Sequence, residues 1–536
     1  MSHNNSAFAP WLKDSLVEGP AGLPPSAVIT VVLLVIALPL VTKYLQTKTS
    51  LPLVNPPKWF QLRAQKELAF LEDGMETLRD SRAKHPNKPF RILTELGEVI
   101  VLPPEFAQTI RNLTTLNFRK AVRKTGRPGT DAGAQAVDAA TEYVIGNSVC
   151  WQRALLTPTD TVTQPLSDEG SFAVQHIFGN VEDWKETEIK TDILDLIARL
   201  SSRIFLGEAS CRNEEWLDLS KSYTITSFRA AMKLNKIPRV LRGIANMIDQ
   251  DCRQSRQALS KARRILEPVV AERRQARAKC KAEGVPAPKY NDAIDWAETE
   301  AHGKPYDVGA LQLVLSFAAI HTTTDLLTQT LIRLANEPDN ITALRAEIID
   351  VLKQEGWKKS ALFQMKLLDS AIKESQRIKP NGLLAMRRIA TEDVKLPDGL
   401  VIRKGERINI DGSNFTSPEV YDQPEKFDIH RFKNLREQPG REHKSQLVAT
   451  SPDHLSFGHG YFACPGRFFA ANEIKVALCH LLLKYDWKLA PGETVEPKIV
   501  GAMMMIRPEL RLVCRRRKEE IDLEALEVDS DPIAHE

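Results

Sequence analysis

The sequence lacks closely spaced cysteines, a large excess of charge and any repeat at a fixed period. Its seven cysteines are scattered along 536 residues, which argues against a disulfide scaffold and for a reducing compartment. Lysine and arginine (73) nearly balance aspartate and glutamate (69), so no global field directs the chain to nucleic acid. What remains is a large globular body, for which a hydrophobic content of 43% supplies enough core.

One strongly lipophilic run stands near the N-terminus, from Pro20 to Val41. Counted from Ala21, it has about the length that a bilayer requires, roughly 20 residues. A cleaved signal peptide would place basic residues first, whereas here Lys13 is accompanied by Asp14 and Glu18, and three lysines (Lys43, Lys48 and Lys58) follow the run. This pattern predicts a single membrane anchor with the rest of the chain on the cytoplasmic side, most simply at the endoplasmic reticulum. A buried core helix is the alternative interpretation.

The segment after the run, Leu51-Pro-Leu-Val-Asn-Pro-Pro57, cannot continue a helix and predicts a stiff, extended hinge. The expected division of the chain is a lumenal extension (1–19), a transmembrane anchor (20–42), a proline-rich hinge (43–58), a catalytic body (59–518) and an acidic disordered tail (519–536). Within the body we expect a helix over 59–85, a hairpin over 90–102, a long loop over 117–140 and an amphipathic helix over 467–483.

A short loop with a single cysteine organises the C-terminal part of the chain: Phe457-Gly-His-Gly-Tyr-Phe-Ala-Cys464-Pro-Gly466. Its glycines permit unusual backbone angles and let the chain lie close against a flat ligand. Free amides at the start of the following helix favour the thiolate, which is the form that binds metal. Zinc would need further cysteines or histidines at finger spacing, whereas haem iron needs one axial thiolate. An inert cysteine beside a tight turn is the alternative.

The pattern Phe457-x-x-Gly460-x-x-x-Cys464-x-Gly466 resembles the haem-binding motif of the cytochrome P450 family. The resemblance implies a mainly α fold with small β-sheets (α+β), heme b as the cofactor and Cys464 as the axial ligand of the haem iron. The loop also matches a dinucleotide-binding fingerprint, Gly-x-Gly-x-x-Ala. That motif requires a preceding strand and a βαβ unit, and Ser-Pro precedes the loop instead, so we reject it.

The stretch from Val308 to Asn336 predicts a long helix that is apolar on most sides and therefore buried. Inside it, His321 is followed by three threonines, whose hydroxyls can bond back to the preceding turn. Hydroxyls capped within a packed helix are the simple interpretation. The resemblance implies more: Thr322 would deliver protons at the oxygen pocket, and His321 stands where the family has an acid.

Glu374 and Arg377 lie three residues apart on a predicted helix, and Arg431 lies downstream between two aromatic residues. An exposed ion pair of this kind would contribute little to stability and would not indicate a functional site. One carboxylate held by two guanidinium groups, in contrast, would suit partial burial. The resemblance implies such a clamp, with a structural role beneath the haem loop.

Two departures from the family pattern concern the haem propionates. Leu155 stands where the family has an arginine after its tryptophan, which leaves Arg153 as a substitute or as a surface residue. Phe462 stands where a basic residue often precedes the cysteine. We therefore expect Arg387, ten residues after Arg377, to carry more of the propionate binding.

The residues of these motifs are most similar to those of fungal members of the family. These members are of the ent-kaurene oxidase type or belong to terpenoid and indole-diterpene biosynthesis. The resemblance implies O2-dependent oxidation of a bulky lipophilic substrate, such as a diterpene, an indole-diterpene or a meroterpenoid. Electrons would come from an NADPH–cytochrome P450 reductase, since the sequence shows no flavin or nicotinamide site. An oxidase of alkaloids or polyketides, a haem-thiolate sensor or carrier, and an isomerase or peroxygenase are the alternatives.

Overall fold

The computed structural model describes residues 49–125, 159–237 and 241–526. Their architecture is mainly α with small β-sheets, as predicted. The expected lumenal extension and anchor (1–42), Arg153 and Leu155 lie outside the described residues. The elements before the first gap are α1 (Arg63–Lys84), β1 (Phe90–Thr94), β2 (Gly97–Leu102), α2 (Phe106–Ile110), β3 (Leu116–Asn117) and α3 (Phe118–Thr125).

The middle of the chain is almost entirely helical. Its elements are α4 (Thr159–Phe178), β4 (Lys185–Thr187), α5 (Ile189–Leu206), α6 (Glu214–Lys236), α7 (Arg242–Ile248), α8 (Gln250–Glu283), α9 (Ala293–Ala301), α10 (Val308–Asn336), α11 (Pro338–Glu355), α12 (Lys359–Gln364) and α13 (Lys366–Ile378). The large hydrophobic core lies among these helices and extends to the C-terminal helix and sheet described next.

The C-terminal part returns to strands. Its elements are β5 (Leu384–Ala390), β6 (Val394–Lys395), β7 (Val401–Ile402), β8 (Arg407–Asp411), α14 (Arg431–Arg436), α15 (Arg467–Lys484), β9 (Tyr485–Leu489), β10 (Lys498–Val500), β11 (Met503–Met505) and β12 (Leu512–Arg516). Strands from both ends of the chain form one five-stranded sheet in the order β1-β2-β8-β5-β3. The described residues also form a β4-β12-β9 sheet and two small hairpins, β6-β7 and β10-β11.

Helix α10 has the bounds that the sequence predicted, and it runs through the core. It begins at a cap, where the carboxylate of Asp307 accepts the amide N–H of Ala310 at 3.0 Å. It packs against α5, α6, α8, α13 and α15. Within the part of the chain that the structure describes, it is the one helix long and apolar enough to cross a bilayer, yet 67% of its apolar window is buried by protein. It is therefore a core helix.

Helix α15 is buried on all sides along most of its length, so the prediction of an amphipathic helix is wrong. The sequence shows polar residues at Glu473, Lys475 and His480, but each of them is buried. The reason is tertiary, because α4, α10, α11, α12 and α13 all pack around this helix.

The prediction of a disordered tail from residue 519 is wrong for residues 519–526. The side chains of Ile521 and Leu523 are buried, and the indole N–H of Trp357 donates to the carbonyl oxygen of Leu523 at 2.9 Å. Glu524 accepts a short hydrogen bond from the hydroxyl of Ser171. An acidic composition does not prevent order here, because the apolar residues alternate with the acidic ones. Residues 527–536 lie outside the described residues.

The described part of the hinge agrees with a stiff, extended segment, and one other predicted segment differs from expectation. The described half of the hinge is bonded to the body, because Asn55 exchanges two hydrogen bonds with the backbone of Leu93, at 2.8 and 2.9 Å. The expected loop over 117–140 is helical in its first part, where α3 (Phe118–Thr125) stands. The helix over 59–85 and the hairpin over 90–102 are confirmed as α1 and β1-β2.

Candidate active site

The loop from Phe457 to Gly466 is a tight turn that leads directly into α15. The amide N–H of Cys464 donates to the carbonyl oxygen of Phe457 at 2.7 Å, which closes the loop. Gly460 has a φ of +75°, and a Cβ there would lie 2.5 Å from the carbonyl oxygen of Arg111, which follows α2. Glycine is the residue that this angle and this close approach allow, so Gly460 fixes how the loop rests on the N-terminal part of the chain.

The sulfur of Cys464 lies deep in the protein, yet the residue is exposed, which places it on the wall of an internal space. Burial raises the pKa of the Cys464 thiol, while hydrogen bonds from the amides of Gly466 and Arg467 and the charge of Arg467 lower that pKa. A Cβ on Gly466 would meet nothing within 4 Å. The backbone two residues after Cys464 therefore borders open space, and two amides are positioned to bond a thiolate.

One face of α10 is open where the rest of the helix is buried. Ala318 and Thr322, one turn apart, are both exposed, and Phe317 is half-buried beside them. The hydroxyl of Thr322 donates to the carbonyl oxygen of Ala318 at 2.8 Å and lies 3.2 Å from that of Ala319. A small residue and an accessible hydroxyl are therefore exposed side by side on a helix that is otherwise buried.

His321 points to a neighbouring helix. Its Nε2 lies 2.8 Å from the carbonyl oxygen of Lys221 on α6, so this nitrogen carries the proton and donates it. Burial lowers the pKa of His321, the hydrogen bond to the carbonyl of Lys221 offsets part of this effect, and the charge of Lys190 adds a smaller lowering. The imidazole is therefore neutral and anchors α10 to α6, and its role as a proton source stays a prediction.

The structure brings the three residues of the predicted clamp together. Glu374 and Arg377 are fully buried, and Arg431 is nearly so. The guanidinium of Arg377 donates twice to the carboxylate of Glu374, both at 2.8 Å, and Nε of Arg431 donates to the same carboxylate at 2.9 Å. Further donors of Arg377 bind the carbonyl oxygens of Phe415 and Pro424, at 2.7 Å each. The clamp thus ties α13 to the segments after β8.

Lys373, one residue before Glu374, is a supporting residue that the sequence did not reveal. Its side chain is buried, and its Nζ donates to the carbonyl oxygens of Lys444, Gln446 and Ala449, at 3.3, 2.7 and 3.4 Å. These carbonyls belong to the segment that precedes the cysteine loop. A lysine on a helix suggests a solvent-facing side chain, so no local signal could have found this role.

The two consecutive arginines of β5 lie in different surroundings. The register of β5 on β8 shifts between Ala385 and Arg388, which marks a bulge. Burial lowers the pKa of Arg387, whereas the charge of Glu95 raises it. Arg388 is 2% exposed, and its guanidinium lies 4.8 Å from the ring centroid of Phe462, inside the cysteine loop. The sequence singled out Arg387, which is exposed, whereas the structure shows that Arg388 is buried against the loop.

These residues fit a haem whose iron would be held by a thiolate. Cys464 is accessible and its sulfur has amide donors, the position over Gly466 is open, and Thr322 stands on an open helix face. Cys464 would hold the iron, and Phe457, Gly460 and Gly466 would shape the loop around it. A bound haem would supply the redox chemistry that activates O2.

Comparison with known proteins agrees with this geometry. The family profile "Cytochrome P450" matches residues 167–515. The chain is 42% identical over 476 residues to the cytochrome P450 monooxygenase hepE of Aspergillus oryzae, which covers 88% of this chain and 86% of that protein. It is 40% identical over 443 residues to cytochrome P450 monooxygenase 1 of Gibberella fujikuroi, covering 81% of this chain and 99% of that protein.

Among solved structures, a retinoic acid bound cyanobacterial CYP120A1 has the same fold. The TM-score is 0.63 at 20% sequence identity, and the match covers 87% of this chain and 100% of that chain. At this identity the likeness concerns the fold. Together with the family profile and the fungal relatives, it leads to one conclusion: this chain belongs to the cytochrome P450 family and is a monooxygenase with a haem-thiolate site.

Proposed function

We propose that this monooxygenase hydroxylates or further oxidises a bulky lipophilic metabolite, foremost a terpenoid such as a diterpene, an indole-diterpene or a meroterpenoid. It uses heme b, O2 and electrons from an NADPH–cytochrome P450 reductase, and it works anchored in the endoplasmic reticulum membrane. The observation that carries the substrate class is the apolar character of the open face of α10 beside Thr322.

An aromatic pair stands beside that face. The ring of Phe228 on α6 stacks on Phe317 of α10, with centroids 5.1 Å apart and an interplanar angle of 26°. Phe228 is 55% exposed, so the pair offers an apolar surface. Such a surface suits large apolar molecules and gives small polar ones little to bind. The motif residues resemble those of fungal terpenoid oxidases, which supports a terpenoid as the large apolar substrate.

The beginning of the described chain supports the membrane location. Trp59 and Phe60 follow the hinge directly and are 92% and 93% exposed. Side chains of this kind are favoured at membrane–water interfaces, where their apolar bodies leave water. The full chain is therefore expected to float with microsomal membranes. A Trp59→Ser, Phe60→Ser double variant of a chain that begins after residue 42 should bind vesicles more weakly than the matching wild-type chain.

The function is tested with the full chain co-expressed with a fungal reductase in yeast microsomes. The reduced, carbon monoxide-bound protein should show the Soret band of a thiolate ligand. Candidate terpenoids should accelerate NADPH consumption, and the product should contain one atom from ¹⁸O2. Cys464→Ser should lose both the band and the product.

The alternatives predict different results in the same assay. A sensor or carrier would show the thiolate band but no substrate-dependent NADPH consumption. An isomerase or peroxygenase would form product without NADPH. An alkaloid or polyketide oxidase would turn over those substrates and leave terpenoids unchanged, which would overturn the proposed substrate class but not the monooxygenase chemistry.

A further inference from the structure

His459 lies in the cysteine loop between two glycines that have left-handed backbone angles. Gly458 has a φ of +69° and Gly460 a φ of +75°, whereas His459 itself is extended, with a φ of −150° and a ψ of 143°. Glycine restricts the backbone less than any other residue, so two glycines in three positions leave this part of the loop free to change shape. Because glycine has no side chain, the imidazole of His459 must supply any side-chain anchor for this Gly-His-Gly run.

The imidazole of His459 is buried, and both of its nitrogens are hydrogen-bonded. Nε2 lies 3.1 Å from Oε1 of Gln108 on α2, and Nδ1 lies 3.1 Å from the hydroxyl oxygen of Thr450. Oε1 of Gln108 can only accept, so Nε2 carries the proton and donates it, and Nδ1 accepts the O–H of Thr450. The ring therefore bridges the N-terminal part of the chain and the segment that precedes the cysteine loop.

This bridge acts on the same turn that carries the cysteine. The amide N–H of Cys464 donates to the carbonyl oxygen of Phe457 at 2.7 Å, so His459 lies inside a closed ring of backbone. Directly after the cysteine, the amides of Gly466 and Arg467 bond its sulfur. Hydrogen bonds weaken steeply when donor and acceptor lose their alignment. A shift of the backbone ring would therefore weaken the bonds to the sulfur, and an anchor on the ring prevents such a shift.

We propose that His459 is a positioning residue of the haem-thiolate site, which holds the cysteine loop through Gln108 and Thr450 so that the amides after Cys464 stay directed at the sulfur. The proposal rests on the haem-thiolate site and adds a residue to it. Amide hydrogen bonds withdraw electron density from a thiolate and raise the reduction potential of the iron that it holds. Replacing His459 should therefore lower this potential, although its ring bonds Gln108 and Thr450 and not the sulfur.

The test compares full-length, haem-loaded wild type with His459→Phe, His459→Gln and His459→Asn. Phenylalanine keeps a planar ring and removes both hydrogen bonds, whereas the amide of glutamine can take the place of Nε2 and that of asparagine the place of Nδ1. The reduction potential is measured by spectroelectrochemical titration. In His459→Phe the equilibrium constant of reduction should fall about threefold to tenfold, where tenfold corresponds to about 59 mV for one electron. The two amide variants each keep one bond and should lie between His459→Phe and wild type.

A second measurement reports on the loop without reference to the iron. Amide hydrogen exchange of the peptide that contains the loop measures how often its internal hydrogen bonds open. The amides of Gly458, Ala463 and Cys464 are all bonded to carbonyl oxygens of this segment, so their exchange is slow while the loop is held. Exchange should be faster in His459→Phe than in wild type, and intermediate in the two amide variants.

Each outcome decides the proposal. His480→Gln is the matched control, because His480 is fully buried in the second half of α15 and bonds Ser167. This control should lower the urea midpoint and leave both the potential and the exchange of the loop unchanged. If His459→Phe behaves in the same way, its role is structural only and the proposal is overturned.

Two further results separate the possible failures. If His459→Phe does not fold, the glutamine and asparagine variants carry the test, and wild-type values of potential and exchange in both refute the proposal. A wild-type protein without the thiolate Soret band would instead refute the haem-thiolate site itself, and the proposal with it.

Discussion

Replacing Glu473 by glutamine should change how the stability of this protein depends on pH. Glu473 is fully buried on α15, and the hydroxyl of Ser201 donates to its Oε1 at 2.7 Å, while its Oε2 has no partner. The hydroxyl of Thr323 on α10 also faces this carboxyl. Burial raises the pKa of Glu473 from 4.5 to about 8, and the two hydroxyls offset only part of this effect. The carboxyl is therefore protonated in the folded protein at neutral pH.

The sign of the effect follows from proton binding. Between pH 4.5 and about 8 the unfolded chain loses this proton, whereas the folded protein keeps it. The free energy of unfolding of the wild type therefore falls by up to about 1.4 kcal/mol per pH unit in this window and levels off above it. Glutamine keeps the shape of the glutamate side chain, and its amide group does not titrate. The difference in stability between Glu473→Gln and wild type should thus grow by about 3 kcal/mol, in favour of the variant, from pH 5 to pH 7.

The measurement is urea-induced unfolding of haem-loaded wild type and Glu473→Gln, at pH values between 5 and 8. Glu182→Gln serves as the control, because Glu182 is exposed and its replacement should leave the profile parallel to that of wild type. If the free energies of unfolding of Glu473→Gln and wild type changed with pH in parallel, the Glu473 carboxyl would be ionised in the folded protein. The reasoning from burial would then be wrong.

Three further substitutions test the site. Thr322→Ala should keep the thiolate Soret band but convert more of the consumed NADPH into peroxide instead of product, and unchanged coupling would remove Thr322 from proton delivery. The lysine of Arg377→Lys cannot bridge both oxygens of Glu374, so the free energy of unfolding should fall by about 3–5 kcal/mol, as measured by urea midpoints. The yield of haem-loaded protein, measured by absorbance, should fall severely as a result. Lys373→Met removes a donor from the carbonyls of Lys444, Gln446 and Ala449, so a loss of about 3 kcal/mol in urea unfolding is expected. Lys433→Met, which removes a partly exposed pair with Glu437, should lose little.

Local sequence determined those parts of the molecule whose chemistry needs no distant partner. The glycines around Cys464 encode the shape of the loop, since φ > 0 at Gly460 is a property of the residue itself. The apolar composition from Val308 to Asn336 predicted a buried helix with the observed bounds. Glu374 and Arg377 had to share a helix face, because three residues separate them.

Tertiary structure decided which polar groups are buried and what they contact. Arg387 and Arg388 are equivalent in the sequence, but in the structure Arg387 is exposed, whereas Arg388 is buried with its guanidinium beside the ring of Phe462. Glu473 and Lys373 occupy helices whose patterns suggest a solvent-facing side, but other helices and loops cover that side. The physical reason is that the charge state and hydrogen bonds of a side chain depend on its burial, and burial depends on segments far away in the chain.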